Sequence, residues 1–101
     1  MRGQELITYV VYDIVSDRIR FKIAEVCKDY GLDHIQYSVF SGPLDATRRR
    51  EIFARLGDTL GDHEGRILML QMCEKDAAAR LEIARGPQPA EAHRSRVFKA
   101  L

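Results

Sequence analysis

The fold is decided by residues 6–13, which read Leu-Ile-Thr-Tyr-Val-Val-Tyr-Asp. β-Branched and aromatic residues dominate the first seven positions, and this composition predicts a β-strand. Alternate side chains point to opposite faces of a strand, and here both sets are largely apolar. A strand that is apolar on both faces needs both faces covered by other parts of the protein.

An amphipathic helix follows this strand. Residues 17–30 carry apolar side chains at helical spacing, with charged side chains on the opposite face. Ser16 or Asp17 can cap its start, and Gly31 is suited to end it in a left-handed conformation. This first helix therefore has one face to bury against the sheet.

The rest of the chain continues the alternation of strands and helices. Residues 34–41 alternate as a strand that Gly42-Pro43 should break, and a second helix runs from Asp45 or Thr47 to residue 60. Further along, the sequence predicts a strand over residues 67–73, a short helical turn over 74–80 and a short strand over 81–85. This order predicts an α/β domain of the α+β kind.

Two helices can cover only one face of so small a sheet. The opposite face of the first strand would then remain bare, although large exposed apolar patches are uncommon on soluble monomers. The simplest cover is a second copy of the chain, packed sheet to sheet about a two-fold axis. The sequence therefore predicts a homodimer.

Composition places the chain among small globular proteins. It has 101 residues, 46% apolar and 31% charged, with a formal net charge of +1. No apolar run approaches the length of a membrane span and no secretory signal is evident, so we expect a cytoplasmic protein with no membrane partner. The two cysteines, Cys27 and Cys73, lie in apolar segments, and we expect both to be buried thiols.

Asp13 is the residue that most suggests chemistry. It directly follows the apolar run, at a strand end where a carboxylate can stay solvated and face a ligand. An aspartate here is a suitable ligand for Mg²⁺, and a two-fold dimer could bring two copies of it together. The alternative is an aspartate that only caps a helix or fixes a loop, and spacing alone favours that alternative.

Basic and aromatic residues near Asp13 could handle nucleic acid. Arg18 and Arg20 could hold a phosphate, or they could simply be solvated at the start of a helix. Phe40 and Tyr37 could stack on a base, although aromatic residues in strands more often belong to a core or an interface.

Four short motifs occur in a distinctive order. They are Tyr12-Asp13-Ile14, residues 28–32 (KDYGL), residues 35–40 (IQYSVF) and residues 69–75 (MLQMCEK). In combination they resemble the CRISPR-associated protein 2 family over about residues 6–86. The resemblance implies a ferredoxin-like fold, with two helices on one face of a small, mostly antiparallel sheet and a dimer through the other face.

The resemblance also implies a function. Family members take part in acquiring new CRISPR spacers, where the dimer bridges two dimers of the integrase, CRISPR-associated protein 1, and binds spacer DNA. They are also described as Mg²⁺-dependent nucleases acting on RNA, including single-stranded RNA, or DNA. Asp13 is then the catalytic and metal-binding residue, shared by two subunits, and Arg18, Arg20 and Phe40 match positions tied to nucleic-acid binding.

Two features depart from the family pattern. The family often has two adjacent basic residues where this chain has Ile19-Arg20. The ferredoxin-like order also needs a strand pair between the helices, so either residues 34–41 hold two short strands or one strand is missing from the count. We assign residues 1–86 to the domain and residues 87–101 to a C-terminal tail that can pair with the partner subunit.

Three functions fit these observations. The chain could be a nuclease with a metal at Asp13 or a non-catalytic scaffold that binds DNA through residues 48–50 (Arg-Arg-Arg). The third possibility is a toxin-type ribonuclease of similar fold or a ligand-binding ferredoxin-like module. The resemblance favours spacer acquisition over the third. One carboxylate per chain favours the scaffold and the family's activity favours the nuclease, so the sequence leaves that choice open.

Overall fold

The computed structural model describes residues 5–87, which form four strands and three helices. In chain order the elements are β1 (Leu6–Ile14), α1 (Asp17–Asp29), β2 (Asp33–Gln36), β3 (Val39–Leu44), α2 (Ala46–Leu60), β4 (Gly65–Met72) and α3 (Glu74–Ala78). The predicted tail, residues 87–101, lies outside the described residues except for Pro87. Within residues 5–87 no helix is long and apolar enough to cross a membrane.

The strands form one antiparallel sheet in the order β2-β3-β1-β4. β1 therefore lies between two neighbours, as expected for a strand that is apolar on both faces. Helix α1 connects β1 to β2 and helix α2 connects β3 to β4, and the two helices pack against each other. This is the ferredoxin-like arrangement, and the predicted fold class is confirmed.

The segment predicted as one strand, residues 34–41, contains a tight turn between β2 and β3. Tyr37 and Ser38 form this turn, and Ser38 has a φ of 59°, which non-glycine residues seldom adopt. The backbone N–H of Tyr12 donates to the Ser38 carbonyl oxygen at 3.1 Å and ties the turn to β1. The alternative of two short strands is thus confirmed, and it supplies the strand pair that the ferredoxin-like order requires.

β3 continues through Gly42-Pro43, so the predicted break at this point was wrong. Pro43 pairs with Ile7 of β1, whereas β2 pairs with β3 only as far as Ser41. At Pro43 the strand has no neighbour on the β2 side, so the missing N–H removes no bond to β2. A proline is tolerated inside the strand for this reason.

Both long helices begin at residues with the predicted capping chemistry. The Ser16 hydroxyl oxygen accepts the Ile19 N–H at 3.2 Å, and the Asp45 carboxylate accepts the Arg48 N–H at 2.8 Å. Gly31 follows α1 with a φ of 76°, the left-handed conformation expected of a glycine just past a helix. These caps fix where each helix begins and therefore which of its faces meets the sheet.

One face of the sheet carries the hydrophobic core. The even-numbered side chains of β1 from Val10 to Ile14 lie on this face, and the helices cover them. The core contains Val10, Tyr12, Ile14, Ile19, Ile23, Val26, Cys27, Leu32, Phe40, Leu44, Ile52 and Leu56. Burying an aliphatic side chain of this size stabilises the fold by roughly 1.5–3 kcal/mol.

The described residues cover the other face of the sheet only in part. Near Ile7, helix α3 packs against β1, and Ile7 and Ala77 are fully buried. Further along, Leu68 and Leu70 of β4 are 47% and 46% exposed, opposite half-buried side chains of β1. We call the surface formed by Tyr9, Val11, Leu68 and Leu70 the open face. Its apolar character agrees with the expectation that one face of β1 lacks a cover within the chain.

Two expectations near the end of the described chain were wrong. Residues 81–85 form no strand, and Leu81 and Ile83 are 95% and 82% exposed. Cys73 is exposed, because it lies beyond β4 at the start of α3, whereas Cys27 is buried as expected. In both cases apolar residues continue in the sequence beyond the end of β4, where no neighbouring strand or core surface covers them within the described residues.

The core assignment can be tested with two neighbouring residues of α2. Ile52 is fully buried and Phe53 is 53% exposed. We expect Ile52→Ala to lower the free energy of unfolding by about 2–5 kcal/mol, because it leaves a cavity in the core. The matched variant Phe53→Ala should lower it much less, as measured by urea denaturation. Similar losses in the two variants would contradict this packing of α2.

Candidate functional site

Asp13 is the next-to-last residue of β1, and its side chain is exposed. Its neighbours Tyr12 and Ile14 are buried in the core, so alternation along the strand places Asp13 on the side of the open face. The residue opposite it on β4 is Arg66, which is also exposed. A solvated carboxylate therefore stands where the apolar surface of the sheet ends.

The loop between β1 and α1 is held by Arg20. One guanidinium nitrogen of Arg20 donates to the Ile14 carbonyl oxygen at 2.7 Å, and another forms an ion pair with the Asp17 carboxylate. The guanidinium carbon also lies 5.8 Å from the centre of the Tyr37 ring. Only 25% of the Arg20 side chain is exposed. These contacts direct Arg20 back onto the protein, so its first role is to fix the loop next to Asp13.

Arg18 differs from Arg20 in its surroundings. It lies in the first turn of α1 and is exposed. Within residues 5–87 no hydrogen bond or ion pair holds its side chain. A positive charge near a helix N-terminus is mildly unfavourable, and an anion bound there would relieve this. Arg18 is therefore better placed than Arg20 to contact a phosphate.

Phe40 lies in the core. Its ring is completely buried, with ring centres 4.7 Å from His34 and 6.4 Å from Tyr12. In this conformation neither face of the ring is open to a nucleic-acid base. The expectation that Phe40 stacks on a base is therefore not supported, because residue 40 lies on the helix-covered face of β3 and not on the open face. Tyr37, which is 73% exposed, is the accessible aromatic residue of this hairpin.

The titratable side chains inside the core do not supply a nucleophile or base. Burial raises the pKa of Tyr12 to about 12, with a smaller contribution from Cys27 in the same direction. Burial likewise raises the pKa of the Cys27 thiol to about 12. Both groups are therefore neutral at physiological pH. Asp13, by contrast, is exposed at the end of β1.

The sequence was also compared with models of known protein families. The family model described as CRISPR associated protein Cas2 matches residues 6–80. The chain belongs to the Cas2 family. The match includes every strand and helix of the described structure, from β1 to α3.

Two relatives of this Cas2 chain are a separate Cas2 protein and a fusion of Cas1 with Cas2. The CRISPR-associated endoribonuclease Cas2 of Desulforudis audaxviator is 49% identical over 69 residues, which cover 68% of this chain and 65% of that protein. The chain thus spans slightly less than two thirds of that relative. A CRISPR-associated endonuclease Cas1/endonuclease Cas2 fusion from Thermoproteus tenax is 30% identical over 84 residues, 83% of this chain and 31% of the fusion.

A solved structure shares the fold. The crystal structure of a hypothetical protein from Thermus thermophilus superimposes with a TM-score of 0.69 at 25% identity. The likeness covers 84% of this Cas2 chain and 95% of that one. The shared fold therefore extends over most of both chains.

The donor chemistry at Asp13 suits a hard cation such as Mg²⁺. Mg²⁺ usually keeps several waters and takes one or two protein carboxylates. Within residues 5–87 no group of three or more His, Cys, Asp or Glu side chains could hold a metal together. The Asp17 carboxylate is paired with Arg20. Within the described residues, the last two positions of β1 therefore contribute one carboxylate, that of Asp13, and it forms no ion pair.

Sequence reasoning missed two features of this surface. It did not identify Arg66 as the neighbour of Asp13, because the pairing depends on the register of strands that are distant in sequence. It also did not anticipate a groove of about 450 Å³ between α2 and β4, lined by Arg49, Arg50, Phe53 and Met69 among others. The three arginines at residues 48–50 gave a signal for a basic surface but not for a groove.

The different roles of the two arginines in α1 can be separated by stability. We expect Arg20→Gln to lower the free energy of unfolding by about 1–2 kcal/mol, because it removes the charged hydrogen bond to the Ile14 carbonyl oxygen. Arg18→Gln should change it by less than about 0.5 kcal/mol. Urea denaturation followed by circular dichroism measures both. If Arg18→Gln is as destabilising as Arg20→Gln, Arg18 has a structural role that we have not assigned.

Proposed function

We propose that this Cas2 protein acts in CRISPR spacer acquisition as a homodimer that binds nucleic acid and carries a Mg²⁺-dependent nuclease site at Asp13. The observation behind this proposal is the exposed Asp13 carboxylate at the end of the open face. The names of two relatives, an endoribonuclease Cas2 and a Cas1/Cas2 fusion, support the general activity and the pathway.

The open face supports the proposed dimer. Leu68 and Leu70 are each nearly half exposed, and Val11 and Tyr9 lie opposite them on β1. A two-fold-related copy would place the same apolar surface against this one and remove both from water. Asp13 lies two residues beyond Val11 on the same side of β1. A two-fold axis near this end of the sheet would bring the two Asp13 carboxylates together.

In that arrangement the protein supplies ligands and positions the substrate. Bound Mg²⁺ would polarise a phosphodiester and lower the pKa of a bound water. The Asp13 carboxylates hold the cation, and Arg20 keeps the β1–α1 loop in place through the Ile14 carbonyl oxygen. Arg18 neutralises the phosphate backbone from the first turn of α1. RNA and DNA both offer the phosphodiester that these groups recognise.

The second basic surface suits the adaptor part of the proposal. Arg48 and Arg50 are exposed on α2, whereas Arg49 donates to the Leu44 carbonyl oxygen at 2.7 Å. Side chains of this kind can follow the backbone of spacer DNA without reading its sequence. The fusion of Cas1 with Cas2 in Thermoproteus tenax supports the Cas1 integrase as the partner. This role would be carried out in the cytoplasm.

A non-catalytic scaffold is the second candidate. It is favoured by a specific observation, namely that one chain provides only one carboxylate at the end of β1 and no cluster of metal ligands within residues 5–87. Under this alternative, the dimer spaces the integrase subunits and binds DNA, and Asp13 only terminates the strand. Membership of the Cas2 family favours either of these roles over a toxin-type ribonuclease.

The two candidates predict different effects of Asp13→Asn. For a nuclease, this variant should reduce Mg²⁺-dependent cleavage of single-stranded RNA or double-stranded DNA by at least about a hundredfold, because the metal loses its protein ligands. Asp58→Asn, which removes an exposed carboxylate from α2, should cleave like wild type. Cleavage is measured with end-labelled substrates over a range of Mg²⁺ concentrations.

The same variants separate the roles in cells. Spacer acquisition is measured in cells that carry the integrase together with wild-type protein, Asp13→Asn, Asp58→Asn or no copy of this gene. If Asp13→Asn acquires spacers like wild type and the deletion does not, the protein acts there as a scaffold. If Asp13→Asn fails but still folds and dimerises, acquisition requires the carboxylate. No difference between wild type and deletion would contradict the acquisition role.

The proposed dimer interface has its own test. We expect Leu70→Lys to convert the dimer to a monomer, because it would bury two charges in the apolar interface. Phe21→Lys is the matched control, since Phe21 is 65% exposed but lies on α1, away from the open face. Molar mass is measured by light scattering at equal protein concentrations. A dimeric Leu70→Lys variant would place the interface elsewhere.

A further inference from the structure

Arg66 is the cross-strand neighbour of Asp13. The two residues lie opposite each other in the antiparallel pairing of β1 with β4, and both are exposed on the side of the open face. Side chains at such positions have Cβ atoms about 4.5–5.5 Å apart. A guanidinium therefore stands next to the carboxylate on which the proposed site depends.

The backbone that carries Arg66 is fixed against β1. Gly65 packs so closely that a Cβ atom there would lie 3.0 Å from Ile14 Cγ1 and 3.1 Å from the Asp13 carbonyl oxygen. One residue earlier, the Glu64 carbonyl oxygen accepts the Val15 N–H at 3.3 Å. Close packing at Gly65 and this hydrogen bond therefore fix the start of β4 against the end of β1. The position of Arg66 relative to Asp13 is set by the sheet and not by a mobile loop.

A cationic side chain at this end of the sheet would favour the binding of a phosphodiester next to Asp13. Two Asp13 carboxylates would repel a phosphodiester that approached them. Arg20 is directed towards the Ile14 carbonyl oxygen and Asp17. Within the described residues no hydrogen bond or ion pair holds the Arg66 side chain, so its guanidinium can take a ligand. A guanidinium offers paired N–H donors that match two phosphate oxygens.

We propose that Arg66 binds a phosphate of the nucleic acid held at Asp13, as a substrate-binding residue that the β4 ladder positions beside the carboxylate. This inference rests on the proposed nucleic-acid-binding function and adds a residue to its site. The competing explanation is that Arg66 is only a counter-ion of Asp13. An exposed ion pair of that kind would contribute little to stability and nothing to substrate binding.

The test measures binding of a fluorescent single-stranded RNA and a DNA duplex in EDTA, so that it does not depend on cleavage. Arg66→Gln is made both in wild type and in an Asp13→Asn background. In both backgrounds we expect about tenfold weaker binding, and a salt slope that is lower by about one for each phosphate that Arg66 neutralises. Arg66→Lys, which keeps the charge but not the paired donors, should lie between wild type and Arg66→Gln.

The control is Lys28→Gln, which removes an exposed positive charge at the far end of α1. It should bind like wild type. An equal loss of affinity in Lys28→Gln would show a general charge effect and overturn the proposal. So would a loss of affinity from Arg66→Gln that disappears in the Asp13→Asn background, because Arg66 would then act only through Asp13. Thermal denaturation confirms that each variant is folded.

The outcomes separate this inference from the nuclease proposal. If wild type cleaves neither substrate but Arg66→Gln weakens binding in both backgrounds, the nuclease proposal fails and the role of Arg66 stands. If wild type cleaves and binds while Arg66→Gln changes neither affinity nor salt slope, the inference about Arg66 fails alone. If wild type neither binds nor cleaves either nucleic acid, both fail.

Discussion

β1 has apolar side chains on both faces and a hydrogen-bonded neighbour on both edges, and the rest of the structure is arranged around these two facts. One face is covered within the chain, because α1 and α2 pack onto Val10, Tyr12 and Ile14. Among residues 5–87, the other face is covered only near Ile7, where α3 packs. The rest of this face is the open face, whose exposed apolar side chains favour association with a second surface. Asp13 lies at the end of the open face, where its carboxylate is exposed to water. The same strand therefore supports the fold, the proposed dimer and the proposed site.

The arginines near Asp13 differ in their surroundings, and these differences indicate different roles. Arg20 contacts the Ile14 carbonyl oxygen, Asp17 and the Tyr37 ring, so much of its donor capacity serves the protein itself. Arg18 and Arg66 are exposed, one at a helix start and one on a strand. The sequence places Arg18 and Arg20 two residues apart and suggests a common role, but a helix turns by about 200° between such positions. Their different surroundings follow from that rotation.

Local patterns in the sequence were enough for most of the fold. The two-sided strand, the amphipathic helices and their caps at Ser16 and Asp45 all depend on neighbours within a few residues. The turn at Ser38 was ambiguous because alternation continues through it, and a serine at a φ of 59° leaves no trace in the hydrophobic pattern. The apolar side chains of Leu81 and Ile83 suggested a strand over residues 81–85, which has no partner within the described chain. Strands need partners, and local sequence does not specify them.

At the candidate site, too, local sequence signals could be recognised in advance, whereas contacts between distant strands could not. Asp13 could be found because an acidic residue ending an apolar strand is a local signal. The burial of Phe40 and the pairing of Asp13 with Arg66 depend on which face each strand presents and on the register of β1 with β4. The face that a strand presents and the register between two strands are properties of the assembled sheet. The sequence of a single strand therefore does not reveal them.

A shared site with one carboxylate per chain would link metal binding to dimerisation. A cation held by two Asp13 side chains binds the dimer and not the monomer, so at a concentration of 100 times its dissociation constant it would stabilise the dimer by about 2.7 kcal/mol. Without a cation, the two carboxylates repel each other at the end of a face whose apolar side chains favour association. In the proposed dimer the open face would therefore provide attraction along its length, and the two Asp13 carboxylates would repel each other at its end. A cation bound between the two carboxylates would remove that repulsion, and metal binding would then favour the dimer that the open face already favours.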